Sequence, residues 1–468
     1  STTLEKLADP QQHMTSDQLA ALQVLAATAA DYDNVTLPKA LMRTLYQRGK
    51  LSETEQATLR KLPDMLENPP EDAAQAQHLD QTIARLLGDS RPETYYALIL
   101  MDGDRMGGWL AGNEDDYKLQ YRETWHSSVL AEMANYERRD PQLTKYLNTK
   151  RPVSPGRHGA ISQALNHFST HLARHVVEDC CKGKLLYAGG DDVLALVAVD
   201  DLFDCMQLLR LAYSGISPSD AMHLGERIGK LQAGGSKGQR KLLLDKGFGL
   251  LNGRLMTLMG HKATASMGAV VAHHSAPLSA VLRELRAAES RAKNTAHGKD
   301  NKGEDINRDA FCLRVLKRGG GEVNVTSPWW PVDSKQQPDT AQSALALMKQ
   351  LAEQLALTAF SRGAIYKAQL WFEGLTDDAK DAKNPTWRAQ MASSLAYQFN
   401  RQKGSAELAH AVVAFVCDVM QPAQPKTAIE NFLVTSEFFA REARSFSDKV
   451  KVSKGERGSL QATEEAAA

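Results

Sequence analysis

Between Lys184 and Val199 the chain reads KLLYAGGDDVLALVAV, two apolar runs interrupted by two glycines and two adjacent aspartates. Short apolar runs bounded by turn residues predict two strands, joined here at Gly189, Gly190, Asp191 and Asp192. The aspartates constrain the fold further. Neighbouring carboxylates repel, and a charge is almost never fully buried unless it is paired or bound to metal. Either this is an ordinary acidic hairpin turn in water, or something positive sits against Asp191 and Asp192.

A second stretch sharpens the choice. Residues 93–112, ETYYALILMDGDRMGGWLAG, read as a buried strand opening into a loop, with Asp102 and Asp104 at the strand's end. If this strand neighbours the hairpin, three or four carboxylates converge at one sheet edge. Such a cluster stays ionised only with cations, and hard oxygen ligands suit magnesium or manganese. Two such ions serve phosphoryl or nucleotidyl transfer. Gly189 and Gly190 would give a tight turn and bare backbone where a ligand approaches. The DRMGG segment would leave backbone N–H groups at a helix start, a ready phosphate site.

Around these motifs the pattern divides into three. Residues 1–94 are helical in period (SDQLAALQVLAATAADY, QTIARLLGD), broken at DMLENPPEDAAQ. Residues 95–335 alternate strand, helix, strand-turn-strand, helix, strand (TASMGAVVAHH), helix and a closing hairpin (DAFCLRVLKRGGGEVNVTSPW). The helix LSAVLRELRAAESRAKN turns Val281, Leu282, Leu285 and Ala288 inward. This order predicts an α+β domain with one antiparallel-rich sheet covered by helices. Residues 336–468 form a helical bundle ending in a charged, small-residue tail expected to be disordered.

A chain of 468 residues exceeds one core, so several domains are expected. No apolar run is long enough to span a bilayer, and the start has no signal-peptide pattern. The five cysteines include no CxxC pair, which predicts reduced thiols and a cytoplasmic protein without a zinc knuckle. The formal net charge of zero excludes a globally basic nucleic-acid binder.

The order DGDRMG, amphipathic helix, LLYAGGDDVLAL, ASMGAVVAHH and a helix ending in AK resembles the palm, or nucleotide-cyclase, domain of the large subunit of type III CRISPR effector complexes, the type III-B version most of all. It is also distantly similar to diguanylate cyclases, in which a GG[DE]E turn has the corresponding part. The resemblance covers residues 95 to 330, and the flanking helical regions resemble that subunit's flanking domains more loosely. It implies a ferredoxin-like palm between helical domains. Asp102, Asp191 and Asp192 would bind two Mg²⁺ or Mn²⁺ ions, with the Gly103 carbonyl assisting. Asp104 would either join them or shape the loop. Backbone amides of Asp104, Arg105, Met106 and Gly107 would hold the triphosphate of ATP. Lys293 would contact phosphate, and Ser266 would begin the strand nearest the nucleotide.

The family polymerises ATP into cyclic oligoadenylates when the complex binds target RNA, so other subunits, guide RNA and target RNA are the implied partners. Two departures stand against this. No His-Asp dipeptide of an HD nuclease occurs, and no first palm is visible, which leads us to expect the other half of a two-nucleotide site from outside this stretch. The rival reading is a catalytically silent scaffold that binds RNA and neighbouring subunits. A variant of the first reading transfers AMP to an acceptor other than ATP.

Three further features have plain readings. Arg227 to Lys262 carries eight cations against Asp245, and its core AGGSKGQRK reads as a flexible, glycine-rich loop; the stretch either contacts RNA or ATP phosphates or is simply solvated surface. His167, His171 and His175 share a helix face, read as a polar surface stripe. Trp329 and Trp330 mark a domain junction held by packing.

Overall fold

The computed structural model describes residues 14–47, 51–88, 92–112, 117–217, 242–298, 305–331, 342–357 and 360–443, together with Leu4 and Leu7. Within residues 14–88 the described α-helices are α1 (Ser16–Thr28), α2 (Lys39–Gln47), α3 (Glu53–Glu67) and α4 (Ala73–Leu87). Thr15, Ser52 and Asp72 cap three of them through their side-chain oxygens. These helices bury Leu22, Leu25, Leu59, Leu62 and Leu86 in a core of their own. Lys39 and Arg43 of α2 tie the set to the next domain through Glu178 (2.6 Å) and Asp179 (2.8 Å).

The central domain is built on a six-stranded sheet in the order β2-β3-β1-β7-β8-β9. Its strands are β1 (Tyr95–Gly103), β2 (Gly183–Gly189), β3 (Asp192–Ala198), β7 (Ala265–His273), β8 (Ala310–Leu316) and β9 (Glu322–Pro328). Only the β7–β8 pair is parallel; every other pairing is antiparallel. Side chains alternate across β1 as the pleat demands. Ala97, Ile99 and Met101 face one layer, which includes Phe168 and Leu208. Leu98 faces the other, formed with Val281, Leu285 and Ala288 of the helix Leu278–Asn294. The α+β architecture expected from the sequence is therefore present, with helices on both faces of the sheet.

Between β1 and β2 run α5 (Met106–Ala111), α6 (Ser127–Glu137), α7 (Pro141–Asn148) and α8 (Pro155–His167), the last continuing through π-type turns over Phe168–Leu172 and His175–Cys180. After β3 comes α9 (Leu202–Ser214), every residue of which is buried. The helix after β7, Leu278–Asn294, is α10.

Two expectations need correction here. The glycine-rich core AGGSKGQRK lies outside the described residues, but the described part of the basic stretch is not a solvated loop: Leu242–Asp245, Phe248–Leu251 and Arg254–Thr257 (β4, β5 and β6) form a small antiparallel sheet. Leu242, Leu244 and Met256 are buried, and that apolar alternation outweighed the glycines. Arg227, Lys230, Lys237, Arg240 and Lys241 lie outside the described residues. The histidines are not a surface stripe either. His167 and His175 are buried, the first bonded to the Thr257 carbonyl (3.1 Å) and the second to Asp179 (3.1 Å). The small sheet and the β2 side of the domain cover the helix face that the pattern alone left to solvent.

The last helices, α11 (Ala344–Ala356), α12 (Gly363–Phe372), α13 (Pro385–Arg401), α14 (Ala406–Phe415) and α15 (Pro425–Glu442), share one continuous core with the sheet domain. Phe203 meets Phe439 at 4.3 Å, and Trp329 donates its indole N–H to the Ala265 carbonyl at 2.8 Å. The tryptophans at 329 and 330 are thus packing residues, both buried. Among the described residues no helix is long and apolar enough to cross a membrane.

Candidate metal and nucleotide site

Strand register explains why the acidic residues meet. In the β1–β3 ladder Met101 pairs with Val193, so the next step along the ladder sets Asp102 beside Asp192. Gly189 pairs with Asp192, leaving Gly190 and Asp191 as the two-residue turn, with Gly190 at φ +63° as a primed hairpin turn requires of its first residue. One carboxylate oxygen from each of Asp102, Asp191 and Asp192 lies within 4.8 Å of the others. All three side chains are partly buried.

The electrostatics follow from that crowding. Burial, a hydrogen bond to Asp102 and the charges of Asp102 and Asp191 push Asp192 from its ordinary 3.8 up to about 6, against the pull of Lys293. Burial, with the Asp102 charge, also raises Asp191. Lys293 forms ion pairs with both Asp102 and Glu289. Burial lowers its affinity for the proton, but those two carboxylates outweigh burial and hold it above the usual lysine range. Its ammonium pairs with Asp102, and its charge also reaches Asp191 and Asp192, against which the sequence asked for something positive.

Glycine 103 permits the arrangement. A Cβ there would stand 2.4 Å from the Tyr213 hydroxyl and 2.7 Å from the Asp191 Cβ. Tyr213, at the end of α9, is fully buried and donates its hydroxyl to the Met106 sulfur at 3.4 Å. Burial, and after it the Asp191 charge, makes its phenol much harder to ionise.

Asp104 does not join the cluster. Its carboxylate is buried and accepts hydrogen bonds from Thr264 Oγ1 (2.7 Å), Ser266 Oγ (2.7 Å) and the Asp309 amide (2.9 Å). Arg308 stands at 3.7 Å. Its own amide donates to the Thr264 carbonyl at 2.9 Å, so it is not open to a phosphate. Asp104 therefore shapes the loop, and the expectation that its amide holds triphosphate is corrected. Ser266 sits opposite Asp102 in the β1–β7 register, but its hydroxyl is buried against Asp104 rather than turned to a nucleotide. Behind them Asp309 accepts from Arg210 Nε (2.8 Å), whose guanidinium lies over the Trp330 ring. Arg308 and Asp309 hold positive φ angles of 69° and 44°, and this network is what secures them. Arg105, also at positive φ, reaches Tyr117 (3.3 Å) and Asn307 (3.2 Å). Gly107 and Gly190 border open space; Gly189 is crowded by the Tyr187 hydroxyl.

Tyr213, Glu289, Thr264, Asp309 and Arg210 went unnoticed in the sequence. Glu289 alone carried a signal: it precedes Lys293 by one helical turn. The others are brought in by long-range packing. Replacing Asp104 by alanine should cost about 3 kcal/mol or more in denaturant unfolding, because one buried and two half-buried donors and Arg308 lose their acceptor.

The donor set fits a hard divalent cation. It consists of carboxylate oxygens alone, and it is electrostatically uncomfortable without a counter-ion. A pH dependence follows. Because Asp192 is raised in the folded chain, protonation contributes stability that is complete below about pH 4 and lost as pH rises through about 6. Protons and cations compete for the same oxygens. Thermal stabilisation by Mn²⁺ should therefore be small at about pH 5 and grow through pH 6 to 7; equal stabilisation across that range would place the cation elsewhere.

Residues 95–226 match the second palm domain of the Cas10/Cmr2 family. Over 233 residues the chain is 30% identical to the CRISPR system Cmr subunit Cmr2 of Pyrococcus furiosus, covering 49% of this chain and 19% of that protein. The Cmr2 subunit of Saccharolobus solfataricus is 29% identical over 135 residues, or 28% of this chain and 11% of its own length. In fold the chain is similar to a chain of the type III-B Cmr-beta structure bound to cognate target RNA, with a TM-score of 0.52, 15% identity, and coverage of 80% of this chain and 42% of that one. The chain thus matches only part of the length of each relative. It resembles the large subunit of type III-B complexes, and the stretch that matches the second palm domain of the Cas10/Cmr2 family contains Asp102, Asp191 and Asp192.

Proposed function

We propose that the chain is the nucleotidyl-transferring large subunit of a type III-B RNA-guided effector, making cyclic oligoadenylates from ATP in the cytoplasm when target RNA is bound. One observation carries the reading: Asp102, Asp191 and Asp192 gather three carboxylate oxygens within 4.8 Å at the mouth of the β1–β3 edge. In the proposed reaction the 3′-hydroxyl of one ATP attacks the α-phosphate of another, forming a phosphodiester and releasing pyrophosphate. Asp102, Asp191 and Asp192 hold two Mg²⁺ or Mn²⁺ ions, which when bound supply the positive charge that this displacement needs. Lys293, steered by Glu289, presents an ammonium to the triphosphate. The turn from Arg105 to Gly107 and the open flank of Gly190 leave room for it. Guide RNA, target RNA and neighbouring subunits are the proposed partners.

A silent scaffold is the second reading, and the Lys293–Asp102 pair favours it, because part of the acidic charge is already neutralised without a cation. Mass spectrometry decides between them: the native complex is given ATP, Mg²⁺ or Mn²⁺ and matching target RNA. Cyclic adenylates support the proposal. An adduct of AMP with another molecule keeps the transfer and changes the acceptor. Untouched ATP with target RNA bound rejects the enzyme in favour of the scaffold.

A further inference from the structure

We infer that the chain carries a second nucleotide-binding pocket, between α5 and the first turn of α8, in which Arg151 and Arg157 take the phosphate and Trp109, Ile161 and Met259 take the base. The inference does not rest on the catalytic reading, since none of the pocket's lining residues belongs to the acidic cluster.

The cavity has a volume of about 280 Å³, room for one nucleotide-sized ligand rather than a strand. Its walls are mainly apolar, and the charged groups in its lining are both arginines, with Thr124 and Ser154 supplying hydroxyls. Among the described residues neither Arg151 nor Arg157 meets a carboxylate. Arg157 Nη2 donates to the Trp109 carbonyl (2.9 Å) and to the Tyr117 carbonyl, neutral partners both. The Arg151 guanidinium lies over the Tyr121 ring, 5.6 Å from its centre. Three other half-buried or buried arginines are neutralised: Arg122 by Glu137, Arg210 by Asp309, Arg314 by Glu284 and Glu322. Burial, and then repulsion by Arg151, weakens the hold of Arg157 on its proton. An anion between the two guanidiniums relieves both costs, and paired guanidiniums match a phosphate's geometry. Ser154 caps α8 at the same wall, which brings the positive end of that helix to the site. A larger cavity of about 500 Å³ beside β2 and β3 lacks this character. Its lysines are already engaged, Lys39 and Lys184 by Glu178 and Lys182 by Asp201.

The test is calorimetric titration of ADP into the full chain in EDTA, where the acidic cluster lacks its cation and repels phosphates. One saturable site is expected. Arg151→Glu, at an exposed side chain, should weaken it at least about tenfold. Ala160→Trp, which fills the cavity from its wall, should abolish it. Asp191→Asn with Asp192→Asn should leave it unchanged, and inorganic phosphate should compete at least about tenfold more weakly than ADP. Arg157 is left intact because it also holds two backbone carbonyls. No saturable binding, indifference to both pocket variants, or loss in the aspartate variant overturns the assignment. Equal competition by inorganic phosphate reduces it to an anion site and overturns the nucleotide.

Discussion

Replacing Asp191 and Asp192 together by asparagine should abolish nucleotide transfer and yet make the chain harder to unfold in EDTA. The two effects have one cause. At neutral pH the raised pKa values of both residues mean that the folded chain holds their charges less comfortably than the unfolded chain does. Asparagine keeps the shape and removes the charge, so the crowding around Asp102 is relieved. The shift of Asp192 from 3.8 to about 6, discounted because the side chain is only partly buried, is worth about 1 kcal/mol. Without those carboxylates the cations that stabilise the transferring phosphates have no ligands, and rates should fall at least about 10³-fold. Mn²⁺ should no longer raise the melting temperature. A structural hairpin would behave oppositely, losing stability with its aspartates and keeping whatever activity was present. Unchanged product formation in the double variant would remove the site from these residues altogether.

The parts of this site legible in sequence are those set by short-range rules. The strand periodicity of residues 95–103 and 183–198, with a two-residue glycine turn, determines which side chains end at one edge, and so Asp102, Asp191 and Asp192 could be grouped before any fold was known. Lys293 was reached only through the family resemblance, while Glu289 one turn earlier on the same helix could have been found by helical spacing. What failed was anything fixed by tertiary contact. The motif DGD presents Asp102 and Asp104 as equals, yet Asp102 stands within β1 on the α10 side, whereas β1 ends at Gly103 and Asp104, beyond it, turns under Thr264 and Ser266. The histidine helix looked solvated because nothing in its own period shows that the small sheet comes back over it. That sheet was hidden because its strands span only four residues each, inside a glycine-rich basic stretch.

Gly268 is where the same logic makes its strongest demand. It lies in the centre of β7, opposite Leu100 of β1, and α10 crosses directly above it. A Cβ at this position would stand 2.4 Å from the Glu289 amide nitrogen, 2.8 Å from the Leu285 carbonyl oxygen and 2.9 Å from the Glu289 Cα. All three are backbone atoms, so no rotamer change can make room; the helix itself must lift by about 1 Å to restore ordinary contact. Gly268→Ala should therefore cost about 1–3 kcal/mol of stability. It should also carry Glu289 and Lys293 away from Asp102, and a displacement of about 1 Å at a reacting group typically costs about 10²-fold in rate. Gly107→Ala is the matched control, because its Cβ would meet nothing within 4 Å and folding should be unaffected. Melting curves of both variants, with the rate of product formation of Gly268→Ala in the native complex, test the argument. A Gly268→Ala protein with ordinary stability and full activity would show that α10 is free to retreat, and that the position of Lys293 over Asp102 does not matter to the chemistry.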